Sequence, residues 1–214
     1  MARGKETRSR RVPFANRLVI MAKSPRRGRV KRRLASEIGE GEALRFYRSC
    51  LSHSLLRLAS DPRWVTQLAV APDQESALPV LPTLSHVELI AQGAGDLGQR
   101  MQRIFSLSPP GPVIIVGGDI PAMRPTHIAH AFQMLGRVDA VLGPARDGGY
   151  WLVGMKRSPR ALAPFASVRW STPHALADTL ANLNGSRIAF AATLSDVDTE
   201  QDLRLEICAA ERLI

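Results

Sequence analysis

The sequence predicts an α/β fold, a mainly parallel β-sheet flanked by helices, on two observations. Short strand-like apolar runs alternate along the chain with segments of helical spacing, the order that generates βαβ units. The run VIIV at 113–116 is apolar at every position, the pattern of a strand covered on both faces.

The elements follow in order. Residues 17–22 (RLVIMA) read as a first buried strand, and residues 23–33, with Pro25 and Gly28, as a loop. Residues 40–59 place Leu44, Tyr47, Leu51, Leu55 and Leu58 at helical spacing. A strand at 65–70 ends in Ala-Pro-Asp and another lies at 87–91; a helix at 97–107 carries Met101, Ile104 and Phe105 on one face. Residues 112–116 form the next strand, released by Gly117-Gly118 into a turn that carries Asp119. A helix at 125–135 opens on Pro125, where the missing N–H costs little. Strands at 138–142 and 150–155 follow, the second open to an antiparallel direction. Thr172-Pro173 starts a helix to about residue 183; a strand at 187–191 and a helix at 199–212 complete the pattern. Without a fixed-period repeat or a linker, residues 17–214 read as one domain behind a basic arm, residues 1–16.

Composition narrows the function classes. The chain has 214 residues, 45% hydrophobic and 22% charged, as in ordinary globular proteins. No apolar run approaches the ~20 residues a spanning helix needs, and residues 18–22 are too short for a secretory signal. Cys50 and Cys208 stand alone and far apart, so the expected compartment is the reduced cytoplasm. The net charge of +10 is unevenly placed: residues 1–17 carry six cations against Glu6, and residues 23–33 carry seven cations and no acid. Everything else is slightly acidic. With aromatics at 5%, little is available for base stacking, which argues against a dedicated nucleic-acid module.

Ligands of open α/β sheets gather beyond the carboxyl ends of the strands, and three polar segments leave strands there. KSPRRGRVKRRL follows the first strand; it reads either as a solvated charge run or as a phosphate loop, with Lys23, Lys31 and Arg33 as cations and Gly28 freeing the backbone. In GGDIP, Asp119 leaves a buried strand, which suits a hard cation such as Mg²⁺ or Mn²⁺. DVDTEQDL could supply a second carboxylate from Asp198 or Asp196, or simply cap the last helix through Asp198 or Thr199. The third segment, VLGPARDGGYWLVG, has the turn signal of a β-hairpin. It equally suits a loop that brings backbone and one carboxylate against a ligand.

Taken together, KSPRRGRVKRRL, QGAGDLGQRM, VGGDIP, LGPARDGGYWLVG, WSTP and DVDTEQDL resemble, in this order, the DUF2064 family over about residues 17–205. That family is a bacterial branch of the GT-A nucleotide-diphospho-sugar transferases and includes glycosyltransferases assigned to arsenosugar biosynthesis. GGDIP and DVDT are shared with the phospholactate and molybdenum-cofactor guanylyltransferases; DGGY with WSTP is more specific. The resemblance implies a GT-A fold and a metal-dependent glycosyltransferase acting on a nucleotide-diphosphate sugar and a small-molecule acceptor. It implies that Lys23, Gly28, Lys31 and Arg33 embrace a diphosphate, and that Asp96, Gly98 and Arg100 line the nucleotide pocket. Asp119 would be the metal-binding acid, with Asp198 or Asp196 beside it. Asp147 would act as base or acceptor-orienting group, on a loop where Gly148 and Gly149 let the chain pass close to sugar or acceptor and Tyr150 opens the next strand. One departure stands out: Arg32 occupies a position where the family usually carries Thr. A nucleotidyltransferase, and a non-catalytic nucleotide or nucleic-acid binder, are the alternative readings.

Overall fold

A computed structural model describes residues 14–73, 87–157 and 162–211. The expected basic arm falls largely outside these residues. The described chain runs β1 (Arg17–Lys23), α1 (Arg32–Ile38), α2 (Glu40–Ala59), β2 (Val65–Ala71), β3 (Val87–Ala91), α3 (Leu97–Leu107) and β4 (Gly111–Gly117). It continues through α4 (Pro125–Leu135), β5 (Ala140–Pro144), β6 (Tyr150–Arg157), α5 (Ala175–Asn182), β7 (Ile188–Phe190) and α6 (Glu200–Glu211).

The strands form one seven-stranded sheet in the order β3-β2-β1-β4-β6-β5-β7. β6 alone runs against its neighbours, pairing antiparallel with β4 and β5, whereas the remaining pairs are parallel. The chain moves outward from β1 to β2 and β3, then returns to place β4 on β1's other side. This reversal opens a crevice at the carboxyl ends of β1 and β4, where α/β sheets bind ligands.

Both faces of the central strands are buried, because alternate side chains point to opposite faces. Leu18, Ile20, Ile114 and Val116 pack with α2 (Leu51, Leu55, Leu58) and α4 (Ile128, Phe132, Leu135). Val19, Val113 and Ile115 pack on the other side with Met101, Ile104 and Phe105 of α3. Burying this apolar surface is the main stabilising term and makes the sheet a rigid base for the loops. α1 is not among the elements the sequence predicts, and its first two residues fall within the segment that reads as a loop, residues 23–33. It begins at a left-handed residue, Lys31, without a side-chain cap, so no ordinary start signal precedes it.

Candidate active site

The loop after β1 is held tightly. Tyr47 Oη accepts from the Lys23 N–H at 2.9 Å and donates to the Lys23 carbonyl at 3.0 Å; Arg48 donates to the Pro25 carbonyl. Gly28 turns the loop at φ 70°, a conformation side chains resist. Lys31 then adopts φ 45° and ψ 49°, unusual for a non-glycine residue and a feature of functional sites.

The result of that backbone is an inward-pointing ammonium. The Lys31 side chain is 4% exposed, and its Nζ lies 2.7 Å from Asp119, 2.8 Å from Asp196 and 3.0 Å from Asp198. Asp119 arrives just beyond β4. The other two arrive together because side chains of D-V-D alternate. Val197 is fully buried against Leu34 and Ala43, under α1 and α2, which leaves both flanking carboxylates on the Lys31 side. Capping the last helix falls to Thr199, whose Oγ1 accepts from the Asp202 N–H at 3.2 Å while Asp202 accepts from the Thr199 N–H at 2.9 Å.

The electrostatics follow from this packing. Burial alone would lower the Lys31 pKa, but Asp119 and Asp196 overcome it and hold the ammonium charged well above its ordinary value. Burial pushes the Asp196 carboxyl up to about 6 despite the ammonium, with Asp119 and Asp198 adding to the rise. For Asp198, burial also acts upward, but Lys31 and the nearby Arg33 guanidinium, 3.8 Å away, bring it below the usual carboxylate value.

Two contrasting cavities meet at this cluster. A basic one of about 400 Å³ is lined by Lys23, Arg29, Lys31, Arg32, Arg33 and Arg100 together with Asp119, Asp196 and Asp198. It opens beside a cavity of about 480 Å³ shared by Lys23, Arg29 and Arg100 with Asp73 and Gly93. Asp73 fixes that rim by accepting from the Gln92 and Gly93 N–H groups at 2.8 and 3.0 Å. On the other side, a cavity of about 300 Å³ has walls of Met21, Met101, Tyr150, Trp151 and Trp170, with Asp119, Asp147 and Asp196 as its charged groups.

Most of the sequence-predicted residues converge here, in more varied positions than expected. Lys23, Lys31, Arg33 and Arg100 line the basic cavity, and Arg32 joins them. Gly28 shapes the loop without lining that cavity. Asp96 differs from its expected place: it caps α3, accepting from the Gln99 N–H at 2.8 Å while Gln99 returns a bond to the Asp96 N–H. A helix start needed that carboxylate. Gly98 serves packing, since a Cβ there would come within 2.7 Å of Trp170 and 2.9 Å of Phe165. Arg29, Asp73, Tyr47 and Trp170 were not singled out as site residues; only Arg29, inside KSPRRGRVKRRL, and Trp170, the W of WSTP, lay in motifs that carried a signal.

The Asp-Gly-Gly-Tyr stretch is both a hairpin turn and a cavity rim. The Ala145 N–H donates to the Gly149 carbonyl at 3.0 Å, joining β5 to β6. Gly148 sits at φ 85°, where a Cβ would meet the Pro173 carbonyl at 2.3 Å, so glycine is required both by conformation and by the WSTP segment. Asp147 accepts from the Gly149 N–H at 2.9 Å and borders the apolar cavity with Gly149 and Tyr150.

A divalent metal can be tested against this arrangement. Among the described residues, no three His, Cys, Asp or Glu side chains form a ready-made metal cage. Yet three hard oxygen donors from two segments, Asp119 and the Asp196-Val197-Asp198 stretch, converge on a single cation, the Lys31 ammonium. Magnesium typically takes only one or two protein carboxylates with phosphate and water. The donor chemistry therefore fits Mg²⁺ or Mn²⁺ once Lys31 turns aside.

Comparison with known proteins bears on the family and the fold. A family model described as an uncharacterized protein conserved in bacteria (DUF2064) matches residues 54–172, which include Asp119, the Asp-Gly-Gly-Tyr turn and Trp170. No curated protein matches. A candidate nucleotide-diphospho-sugar transferase from Desulfovibrio desulfuricans G20 is similar in structure, with a TM-score of 0.80, 27% identity and coverage of 90% of this chain and 87% of that one. A CMP:2-keto-3-deoxy-manno-octonic acid synthetase, solved with CTP, has a TM-score of 0.60 at 12% identity, covering 94% and 100%. The manganese complex of Rv0371c from Mycobacterium tuberculosis H37Rv has a TM-score of 0.52 at 15% identity, covering 90% and 98%. The fold is that of the nucleotide-diphospho-sugar transferases and cytidylyltransferases. Among the described residues, no helix is long and apolar enough to cross a membrane.

Proposed function

Because this chain belongs to the DUF2064 family, we propose that it is a metal-dependent glycosyltransferase that takes a sugar from a nucleotide-diphosphate donor and gives it to a small-molecule acceptor. The observation that carries this reading is the junction itself. A cation-lined cavity and an apolar, acid-lined cavity meet at Asp119 and Asp196, which lets a diphosphate and a reacting group lie end to end.

The roles follow from position. Lys23, Arg29, Arg32, Arg33 and Arg100 bind and orient the diphosphate; charge-assisted bonds of this kind contribute about 1.5–3 kcal/mol each. Lys31 holds three carboxylates together before the nucleotide arrives and turns to a phosphate oxygen afterwards. Asp119, with Asp198 and Asp196, would hold Mg²⁺ or Mn²⁺, which would supply charge neutralisation for the departing diphosphate. Asp147, on the turn that borders the apolar cavity, orients the acceptor hydroxyl and takes its proton. Asp96 contributes through its cap on α3, which positions Arg100. The manganese and CTP complexes of proteins with this fold support a metal and a nucleotide here.

The nucleotidyltransferase alternative is favoured by one observation: the basic cavity holds more positive charge than a diphosphate requires, so a triphosphate would also suit it. A thermal-shift panel of nucleoside diphosphates, triphosphates and nucleotide-sugars, each with and without Mn²⁺, tests the reading. Stabilisation by a nucleotide-sugar that strengthens with Mn²⁺ is expected. Stabilisation by none of these ligands would overturn it.

A further inference from the structure

The cavity on the far side of the carboxylate junction has a chemistry of its own. Trp170 packs edge-on against Tyr150 with ring centroids 6.2 Å apart, and Phe165 supports it from behind at the same separation. Gly98 leaves space for this indole by lacking a Cβ. Burial raises the pKa of the Tyr150 phenol, which bonds with Thr179 Oγ1 at 3.3 Å and so remains neutral at physiological pH. Aromatic faces set in a rigid frame suit the C–H face of a flat or ring-shaped ligand.

Charge is one-sided in this cavity. Among the described residues that line it there is no lysine, arginine or histidine, whereas Asp119, Asp147 and Asp196 all do. Lys31 offsets one negative charge at the junction but lines only the basic cavity. Asp147, on the turn that borders the cavity, has its Oδ1 on the Gly149 N–H and no ion pair among the described contacts. Away from the junction, where Lys31 stands and the metal would sit, a phosphate or carboxylate on the ring would lose water and meet Asp147 with no cation beside it, which disfavours it strongly.

Resting on the transferase reading above, we propose that this cavity selects an uncharged or cationic, hydroxyl-bearing ring, stacked on Trp170 with a hydroxyl towards Asp147, and rejects phosphorylated or carboxylated rings. Two sources share that chemistry: the sugar of the donor and the acceptor itself. At about 300 Å³ the cavity has room for one ring.

Ligand-observed saturation-transfer NMR on the full chain tests this with methyl glucopyranoside and glucosamine as neutral and cationic rings, and glucuronate and glucose 6-phosphate as anionic ones. The first two should bind at least roughly ten-fold more tightly than the anions. Trp170→Ala should abolish their signal. Because removal of a packed indole can disturb the fold, Asp147→Lys at an exposed turn is the second variant; it should narrow or reverse the preference. Adding a nucleotide-sugar separates the sources: displacement of methyl glucopyranoside identifies the donor sugar's site, and joint binding identifies the acceptor's. Equal or tighter binding of the anionic rings, or a preference unmoved by Asp147→Lys in a folded protein, would overturn the proposal. Nucleoside diphosphate binding is titrated on the same samples. If it persists while ring selectivity fails, only this inference falls; if it is absent, the transferase reading falls.

Discussion

Replacing Lys31 with Met keeps the side chain's length and removes its charge, which isolates what the ammonium does. It leaves Asp119, Asp196 and Asp198 converging on an apolar group, with side chains 27%, 32% and 42% exposed. Breaking a buried ion pair by removing one partner typically costs about 3–5 kcal/mol. Partial exposure lets water recover some of this, so the expected loss is ~2.5 kcal/mol, equivalent to a fall in Tm of roughly 5–10 °C for a chain of this size. The same change frees three oxygen donors for an added cation. Differential scanning fluorimetry in EDTA and then in millimolar Mn²⁺ reads both effects. Wild type should respond weakly to Mn²⁺ without nucleotide, because Lys31 already fills the site, whereas Lys31→Met should recover most of its lost stability. Equal stability of the two proteins in EDTA, or equal Mn²⁺ shifts, would refute the idea that Lys31 acts as the resident cation. Lys31→Met should also weaken nucleoside diphosphate binding by roughly ten- to a hundred-fold, the value of one charge-assisted hydrogen bond.

Other outcomes follow from the same geometry. Asp119→Ala should retain the fold but abolish the Mn²⁺-dependent part of nucleotide binding in calorimetric titration; unchanged affinity would remove Asp119 from the metal site. Asp147→Asn should preserve nucleotide affinity while lowering turnover by ~10²–10⁴-fold, because an amide cannot take a proton as a carboxylate does; near-normal turnover would reduce the segment to its hairpin role. The Asp196 carboxyl, at about 6 when folded and near the ordinary value of about 3.9 when unfolded, binds its proton more tightly in the native state. Its contribution to stability is therefore full below about pH 3.9 and lost as pH rises through about 6, so urea denaturation of Asp196→Asn should show a flatter decline across that window than wild type. Deleting residues 1–13 should leave nucleotide binding unchanged in the same titration, whereas Arg33→Ala should weaken it; the reverse result would put the binding charge in the arm.

Local patterns carried much of the fold. Residues 40–59, 97–107 and 125–135 match α2, α3 and α4 because helical spacing and Pro125 act within a few residues. The carboxyl-end loops followed from strand order, since ligands gather where buried strands release polar chain. The antiparallel direction of β6 was foreshadowed by Asp-Gly-Gly, a turn that joins adjacent strands. By contrast, α1 was hidden: Arg32–Ile38 is highly charged and starts at a left-handed lysine rather than a capping residue. The carboxylate cluster was only half legible. Lys31 reads as a phosphate ligand until the fold brings Asp196 and Asp198 to it from 165 and 167 residues away. The sequence leaves open which of the two aspartates faces the junction; burial of Val197 places both beside Lys31. The family resemblance places Asp96 at the nucleotide pocket, whereas Gln99 three positions on marks the capping box it forms at the start of α3.

The central claim is that a sugar, rather than a nucleotidyl group, is transferred, and the released phosphorus species distinguishes these directly. Phosphorus-31 NMR is followed while the full chain, with Mn²⁺, is incubated with a neutral hydroxylated acceptor and either a nucleotide-sugar or a nucleoside triphosphate. Our account predicts nucleoside diphosphate released from the nucleotide-sugar at a rate that Asp119→Ala abolishes, with no pyrophosphate from the triphosphate. Pyrophosphate from the triphosphate, with the nucleotide-sugar left intact, would contradict it.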